Sequence, residues 1–236
     1  MAKIDGAKRF YDRAEVIDQT GTFTVALDSR AIKTPAAADL VLPTETLADA
    51  VAGEWNGQGE TLDAATMPMF RMAATVIDRV APKRAEVIYV TLKFGETDLL
   101  CYRADAPDDL VQRQIAGWQP WLDWAAETLG ARMAVTTGIV PINQPAGAMT
   151  ALANAAEGLN DYQLMGVSAA AAAAGSLILG LALGREALPP EEAASLALLD
   201  DLYQVERWGD DADAEINRRR VEGEIADAAR FVALCR

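Results

Sequence analysis

Histidine is absent from the 236-residue chain, and cysteine occurs only as Cys101 and Cys235. Without histidine there is no Ser-His-Asp or Cys-His catalysis, no histidine-ligated zinc and no histidine pH switch. A general acid or base has to be Asp, Glu, Lys, Tyr or Cys. Two cysteines build neither a four-cysteine metal site nor a disulfide framework. Cys101 and Cys235 are expected as reduced, buried thiols, a single bridge between them being the alternative. Positive charge is also scarce. The chain holds 35 acids against 21 bases, for a formal net charge of -14. That balance is the wrong sign for a phosphate backbone, so nucleic acid is not an expected partner. Walker, GxGxxG, GxSxG and HExxH motifs are missing as well. No cofactor and no resident metal are expected.

Long apolar runs are nearly absent. The exception is Tyr162–Gly184, which carries no charged side chain and has the length to span a bilayer. Its middle, Ser168 to Ser176, is alanine with one glycine, which is only weakly apolar, and no basic cluster flanks it. It reads as the buried central helix of a bundle, with small side chains that let neighbours approach. The N-terminal MAKIDGAKRFYDRAEV lacks the apolar core of a signal peptide and meets Asp5, Asp12 and Glu15 too early for a mitochondrial presequence. A cytoplasmic protein without membrane insertion is the expectation.

What is present divides into two parts. Residues 1–43 are β-rich. Thr22–Leu27 alternates and is β-branched, Asp28-Ser29 offers a turn, and Ala31–Thr34 and Leu40–Leu42 are further short strands. Helices dominate after Pro43. Thr44 is a candidate N-cap, with Leu47, Val51 and Trp55 on one face. Further helices are expected over 67–80, 84–94, 108–129 (kinked or split at Pro120), 146–158, 161–183, 189–208 and 212–235, with Gly158, Gly184 and Gly209 as C-caps. A loop with a short extended piece covers 134–145. The fold class is α+β: a small β-rich domain over 1–43, then a larger, mostly α-helical domain over 44–236.

The charge is unevenly spread. Between Glu186 and Glu215 lie ten acids and a single base, Arg207, so this stretch alone is -9. It is interrupted by Leu196, Leu198, Leu199, Leu202, Tyr203, Val205 and Trp208. A solvated acidic face is one reading; the other is a surface for a protein partner bearing basic and apolar groups. Adjacent acids such as Asp108-Asp109, Asp200-Asp201 and Asp210-Asp211 point to different sides of a helix, so sequence pairs are not catalytic dyads. Asp211, Asp213, Glu215 and Glu222 fit a calcium-loop register, but Ile216 stands where its glycine belongs. Trp118, Trp121 and Trp124 form a stripe expected in a core.

Several segments together resemble a known family, the assembly chaperones of the ATP synthase F(1) sector, in the branch that holds the alpha subunit. They are Arg9-Phe10-Tyr11, Leu27-Asp28-x-Arg30-x-x-Lys33-Thr34-Pro35, Glu54-Trp55-x-x-Gln58, Met67-Pro68, Thr97-Asp98-Leu99-Leu100-x-Tyr102-Arg103, Gln114-x-x-x-Trp118-x-Pro120-x-x-x-Trp124 and Tyr203-Gln204-x-x-x-Trp208-Gly209. The resemblance implies a β-containing N-terminal domain, a larger helical domain, no catalysis, and binding of the free alpha subunit over a surface that the beta subunit later occupies. Asp200 falls where the family carries an acid four positions before the Gln of the Tyr-Gln segment. The partner-binding residues implied are Asp200, Glu206, Asp201, Tyr203 and Trp208. Eukaryotic members of the family are mitochondrial, so a bacterial cytoplasmic version, acting as a monomer, is expected. The competing readings are a small hydrolase using carboxylates such as Glu54, Asp78 or Asp98, and a small-molecule carrier with a tryptophan-lined pocket.

Overall fold

The computed structural model describes residues 5–209 and 211–236; residues 1–4 and Asp210, the first acid of the Asp210-Asp211 pair, lie outside it. The fold is α+β, with a small antiparallel sheet near the N-terminus and helices thereafter. The chain forms two compact units. One takes the chain up to Arg84 together with Asp161–Met165 and Arg230–Arg236, and the other takes Ala85–Asn160 and Gly166–Ala229. Residue 43 marks instead where strands give way to helices.

In the first unit the strands β1 (Ala14–Asp18), β2 (Phe23–Leu27) and β3 (Arg30–Ala31) lie in that order, all antiparallel. β1 was not among the expected strands; Ala14 pairs with Leu27 and Asp18 with Phe23, and the turn into β2 has Thr20 and Gly21 at positive φ with the Asp18 carboxylate accepting Gly21 N–H. The expected return strand over 31–34 shrinks to two paired residues. Beyond it the chain turns back on itself, with Lys33 bridging Asp39 and Thr34 N–H donating to the Ala38 carbonyl. Asp28 and Ser29 both have positive φ, 45° and 73°, the geometry of a tight hairpin. The Asp28 carboxylate accepts the N–H groups of Asp12 and Arg13, and these bonds hold its pKa below the usual carboxylate range. Helix α1 (Glu45–Asn56) starts at Thr44, whose hydroxyl accepts Leu47 N–H, and buries Leu47, Val51 and Trp55 as expected. At its end the Asn56 amide bonds both N–H and C=O of Ala14, extending the sheet's ladder with a side chain. Helix α2 (Pro68–Thr75) begins at Pro68 and runs into a wider turn over Val76–Val80. The hydroxyls of Thr44 and Thr46 donate to the Leu234 carbonyl, and Tyr162 stacks on Phe231 at 6.1 Å, fastening the two distant segments to this unit.

The second unit is built from α3 (Arg84–Glu96) after its first residue, β4 (Tyr102–Arg103), α4 (Asp108–Trp124), β5 (Thr136–Thr137), α5 (Ala146–Glu157), α6 (Asp161–Ala174) from Gly166 on, α7 (Leu177–Gly184), α8 (Pro190–Ala197), α9 (Leu199–Trp208) and α10 (Ala212–Leu234) up to Ala229. Three expectations are corrected. The helix predicted over 161–183 is two. Gly175 adopts φ +65°, and the Ser176 hydroxyl caps α7 by accepting Leu179 N–H. The helix predicted over 189–208 is also two, because Leu198 leaves the helical region while its side chain stays buried. α4 is one helix through Pro120, so the split expected there as one of two alternatives does not occur. The extended piece of the 134–145 loop is β5, which pairs parallel to β4.

Every residue of α7 is buried, in a core with Trp118, Leu122, Leu152 and Ile225. α7 packs back on α6 at van der Waals distance. A Cβ on Gly180 would sit 2.8 Å from the Val167 carbonyl oxygen and 3.0 Å from Ala171 N. This contact explains why the uncharged stretch is made of alanine and glycine. Among the described residues no helix is long and apolar enough to cross a membrane. Gly180→Ala should therefore lower stability by about 1–3 kcal/mol, the usual cost of overpacking a core. Gly223→Ala, on an exposed turn of α10 with nothing within 4 Å, should raise it by up to about 1 kcal/mol. Urea midpoints of the two variants moving in the same direction would contradict the packing assigned to α7.

Candidate functional site

Helix α9 carries all five residues that the sequence points to, and its periodicity sorts them onto two faces. Asp200, Tyr203 and Arg207 turn toward α4. Asp201, Gln204, Val205 and Trp208 line a groove of about 410 Å³, whose other wall is Ala214, Asn217 and Arg218 of α10.

On the α4 side each contact is specific. Tyr203 is buried, and its hydroxyl donates to Asp109 at 2.8 Å. Arg207 pairs with the other oxygen of the same carboxylate. The Tyr203 hydroxyl and the Arg207 guanidinium hold Asp109 below the usual carboxylate range, while burial pushes Tyr203 up. The guanidiniums of Arg113 and Arg207 both lie 5.2 Å from the Tyr203 ring centroid, within cation–π range. Arg113 pairs in addition with Glu206 at 2.7 Å. Tyr203 thus belongs to the scaffold under the surface, and Glu206 has a cation beside it.

Asp200 is held differently. Its Oδ1 accepts the Gln114 side-chain amide at 2.7 Å. Gln114 is itself buried; its Oε1 accepts Ala104 N–H at 2.7 Å, and its main-chain carbonyl accepts from Arg103. The Arg103 guanidinium lies 5.3 Å from the Trp118 ring, and the Trp118 indole N–H donates to the Leu196 carbonyl at 2.9 Å. Asp200 is therefore oriented by a neutral donor. Asp201 is exposed at the groove, and Trp208 is 76% exposed. α9 thus carries one carboxylate held by Gln114 and, on its groove face opposite Arg218, a second carboxylate and an exposed indole. Sequence reading did not assign the supporting residues Arg103, Gln114, Asp109 and Arg113. The signal for them was polar residue types inside otherwise apolar segments, which shows burial with a partner only once the partner is known.

The remaining tryptophans do not form one pocket. Trp55 is in the first unit's core, Trp118 is in the second's, and Trp121 and Trp124 pack edge-to-face against each other beside it. Cys101 and Cys235 are free and buried, and burial raises both thiols to about 12. Among the described residues no group of three or more acids or cysteines is close enough to hold a metal ion.

Residues 8–126 match the family model described as ATP12 chaperone protein. Protein atp12, mitochondrial, of Schizosaccharomyces pombe is 26% identical over 235 residues, spanning 94% of this chain and 81% of that one. The crystal structure of Atp12 from Paracoccus denitrificans is similar with a TM-score of 0.92 at 38% identity, over 98% of this chain and 99% of that one. An Asp-to-Lys mutant of the Paracoccus denitrificans protein gives 0.92 at 37% identity, over 98% of both chains.

Glu54, Asp78 and Asp98, the acids a hydrolytic cleft would use, all hold backbone. Glu54 accepts Met69 and Phe70 N–H at 2.7 and 2.8 Å, capping α2. Asp78 accepts the Thr34 hydroxyl and Ala36 N–H. Asp98 is wholly buried and accepts Leu100 and Ile178 N–H, both at 3.1 Å, which joins the turn before β4 to the start of α7. Burial raises its pKa to about 6 against the pull of the Ser176 hydroxyl and the backbone N–H groups. The folded state thus keeps a proton that the unfolded chain, with its ordinary value of 3.8, has released. By linkage the Asp98 contribution to stability is full below that value, falls as pH rises through about 6, and is flat above. Asp98→Asn does not titrate, so the unfolding free-energy difference between parent and variant should narrow from pH 4 to pH 6 and then hold. A difference independent of pH over that range would show the carboxylate to be ionised throughout.

Proposed function

Because the chain belongs to the ATP12 chaperone family, we propose that it binds the free alpha subunit of the ATP synthase F(1) sector, masks its subunit interface against aggregation, and releases it to the beta subunit. An unassembled subunit exposes apolar interface and is prone to aggregate. The observation that carries the reading is the Gln114–Asp200 bond, which fixes a carboxylate on α9 without neutralising it. Asp201 and Trp208 extend this into an acidic and aromatic surface suited to a client face with basic and apolar groups. Arg207 and Arg113, the bases on the α4 side, are matched to Asp109 and Glu206, which leaves the negative charge of Asp200 for a partner. No nucleotide or chemical step is needed on this reading, because the beta subunit displaces the chaperone by competing for the same surface. The same reading makes the protein a monomer in a bacterial cytoplasm.

The test is Asp200→Lys. Asp200 is half-buried at the edge of the scaffold, so the variant must first show an unchanged circular dichroism spectrum and melting temperature. Capture of purified alpha subunit should then weaken by about tenfold or more, since a like-charge contact replaces an attractive one. Suppression of alpha-subunit aggregation should fall in parallel. Full capture by the folded variant removes Asp200 from the client surface, and failure of the parent to hold any alpha subunit removes the client.

A further inference from the structure

The groove between α9 and α10 carries groups that nothing within the chain engages. Helix α9 ends at Trp208, and Gly209, at φ +86°, turns the chain out of it. The Trp208 indole stands in solvent on the groove wall and makes no ring contact or hydrogen bond among the described residues. Such exposure is unusual for tryptophan, which is mostly buried. Asp201 lies on the same wall and makes no hydrogen bond or ion pair among the described residues. Across the groove, Asp211 uses one oxygen, Oδ1, to accept Asp213 and Ala214 N–H at 3.0 and 2.9 Å, which answers the positive end of α10. Its Oδ2 has no partner among the described residues. Arg218, the one base on the lining, is buried and has a partner of its own.

These groups select their occupant. The groove, about 410 Å³, is many times the roughly 30 Å³ of one water, so it has room for a whole side chain. Asp201 and the free oxygen of Asp211 can only accept hydrogen bonds. The C-terminal end of α9 adds the negative end of a helix dipole. The stretch from Glu186 to Glu215 is -9 in total, so a cation approaches down a favourable field. The indole narrows the choice further. A lysine ammonium is compact and strongly hydrated, whereas a guanidinium is planar, weakly hydrated and able to stack on the ring while its N–H groups reach carboxylates at the side. Val205 and Ala214 offer apolar contact to the aliphatic stem of such a side chain. Tryptophan and arginine are also the residues most enriched where interfaces hold tightest.

We infer that the groove takes an arginine side chain of the client, its guanidinium stacked on the Trp208 indole and donating to Asp201 and to Asp211 Oδ2. The inference rests on α9 being a client surface and names what that surface grips. The probes are blocked pentapeptides with arginine, lysine or citrulline between two leucines; citrulline has the shape of arginine without its charge. The readout is the indole N–H resonance of Trp208, identified by its loss in Trp208→Phe. The arginine peptide should shift this resonance and bind about tenfold tighter than the citrulline peptide, and several-fold tighter than the lysine peptide. Asp201→Asn and Asp211→Asn should each weaken the arginine peptide several-fold and leave the citrulline peptide unchanged. Both acids are exposed, and asparagine still caps a helix, so neither change threatens the fold. Equal binding of arginine and citrulline, no preference over lysine, an unmoved Trp208 resonance, or indifference to Asp201→Asn overturns the assignment. Capture of alpha subunit by a chain without arginine preference would remove the groove and leave the client. Arginine preference in a chain that captures no alpha subunit would do the reverse.

Discussion

One buried amide, that of Gln114, sets the surface on which the proposed function depends. Its oxygen answers Ala104 N–H next to β4, its nitrogen answers Asp200 on α9, and its backbone carbonyl answers Arg103. Few side chains suit this position. A leucine would leave Ala104 N–H and Asp200 without their partner, and a glutamate would accept from Ala104 but repel Asp200. A lysine or arginine would orient Asp200 and cancel its charge. An amide accepts at one atom and donates at another while remaining neutral, so it answers Ala104 N–H and gives Asp200 a fixed direction without an opposing charge. Trp118, four residues on along α4, closes the same network through Leu196. The motifs around Arg103, Gln114 and Trp118 and the acid on α9 are thus one structural object.

The net charge of -14 takes on structure in this light. Some acids serve backbone: Glu54 caps a helix, Asp28 and Asp78 pin turns, and Asp98 joins a turn to α7. Others are matched to cations, as Asp109 is to Arg207 and Glu206 is to Arg113. Asp200 and Asp201 fall in neither group. On the proposed reading these two act across an interface.

Much of the fold was legible from residue patterns. Thr44, Leu47, Val51 and Trp55 gave the first helix in the expected register, and α3 formed despite its β-branched Val87–Thr91. The misses have physical causes. β1 carries Glu15 and Asp18 among its five residues and is fixed by pairing with β2 and by the Asn56 amide. The break at Gly175-Ser176 was present in the sequence as a glycine followed by a capping serine, but the alanine run around it read as continuous helix. Leu198 carries no local signal at all, since a buried leucine is as much at home inside a helix as between two. At the candidate site the acids and Trp208 were readable from composition, and α9 as a helix from its period. The orientation of Asp200 was not, because Gln114 lies 86 residues away.

The α9 surface is preformed: Gln114 holds Asp200, so it does not have to be ordered when a partner arrives. On the proposed reading no chemical step raises or lowers the chaperone's affinity. Its contacts must be tight enough to compete with aggregation and weak enough to yield to the next subunit. Preformed groups satisfy the first demand by removing the ordering cost of binding. The second is met by the kind of contact involved. Carboxylates and a single indole on a solvent-exposed helix remain hydrated at their rim, where each interaction is modest. On the proposed reading, the beta subunit needs only a larger apolar contact with the same face to displace them, and release follows from competition rather than from a switch within the chaperone.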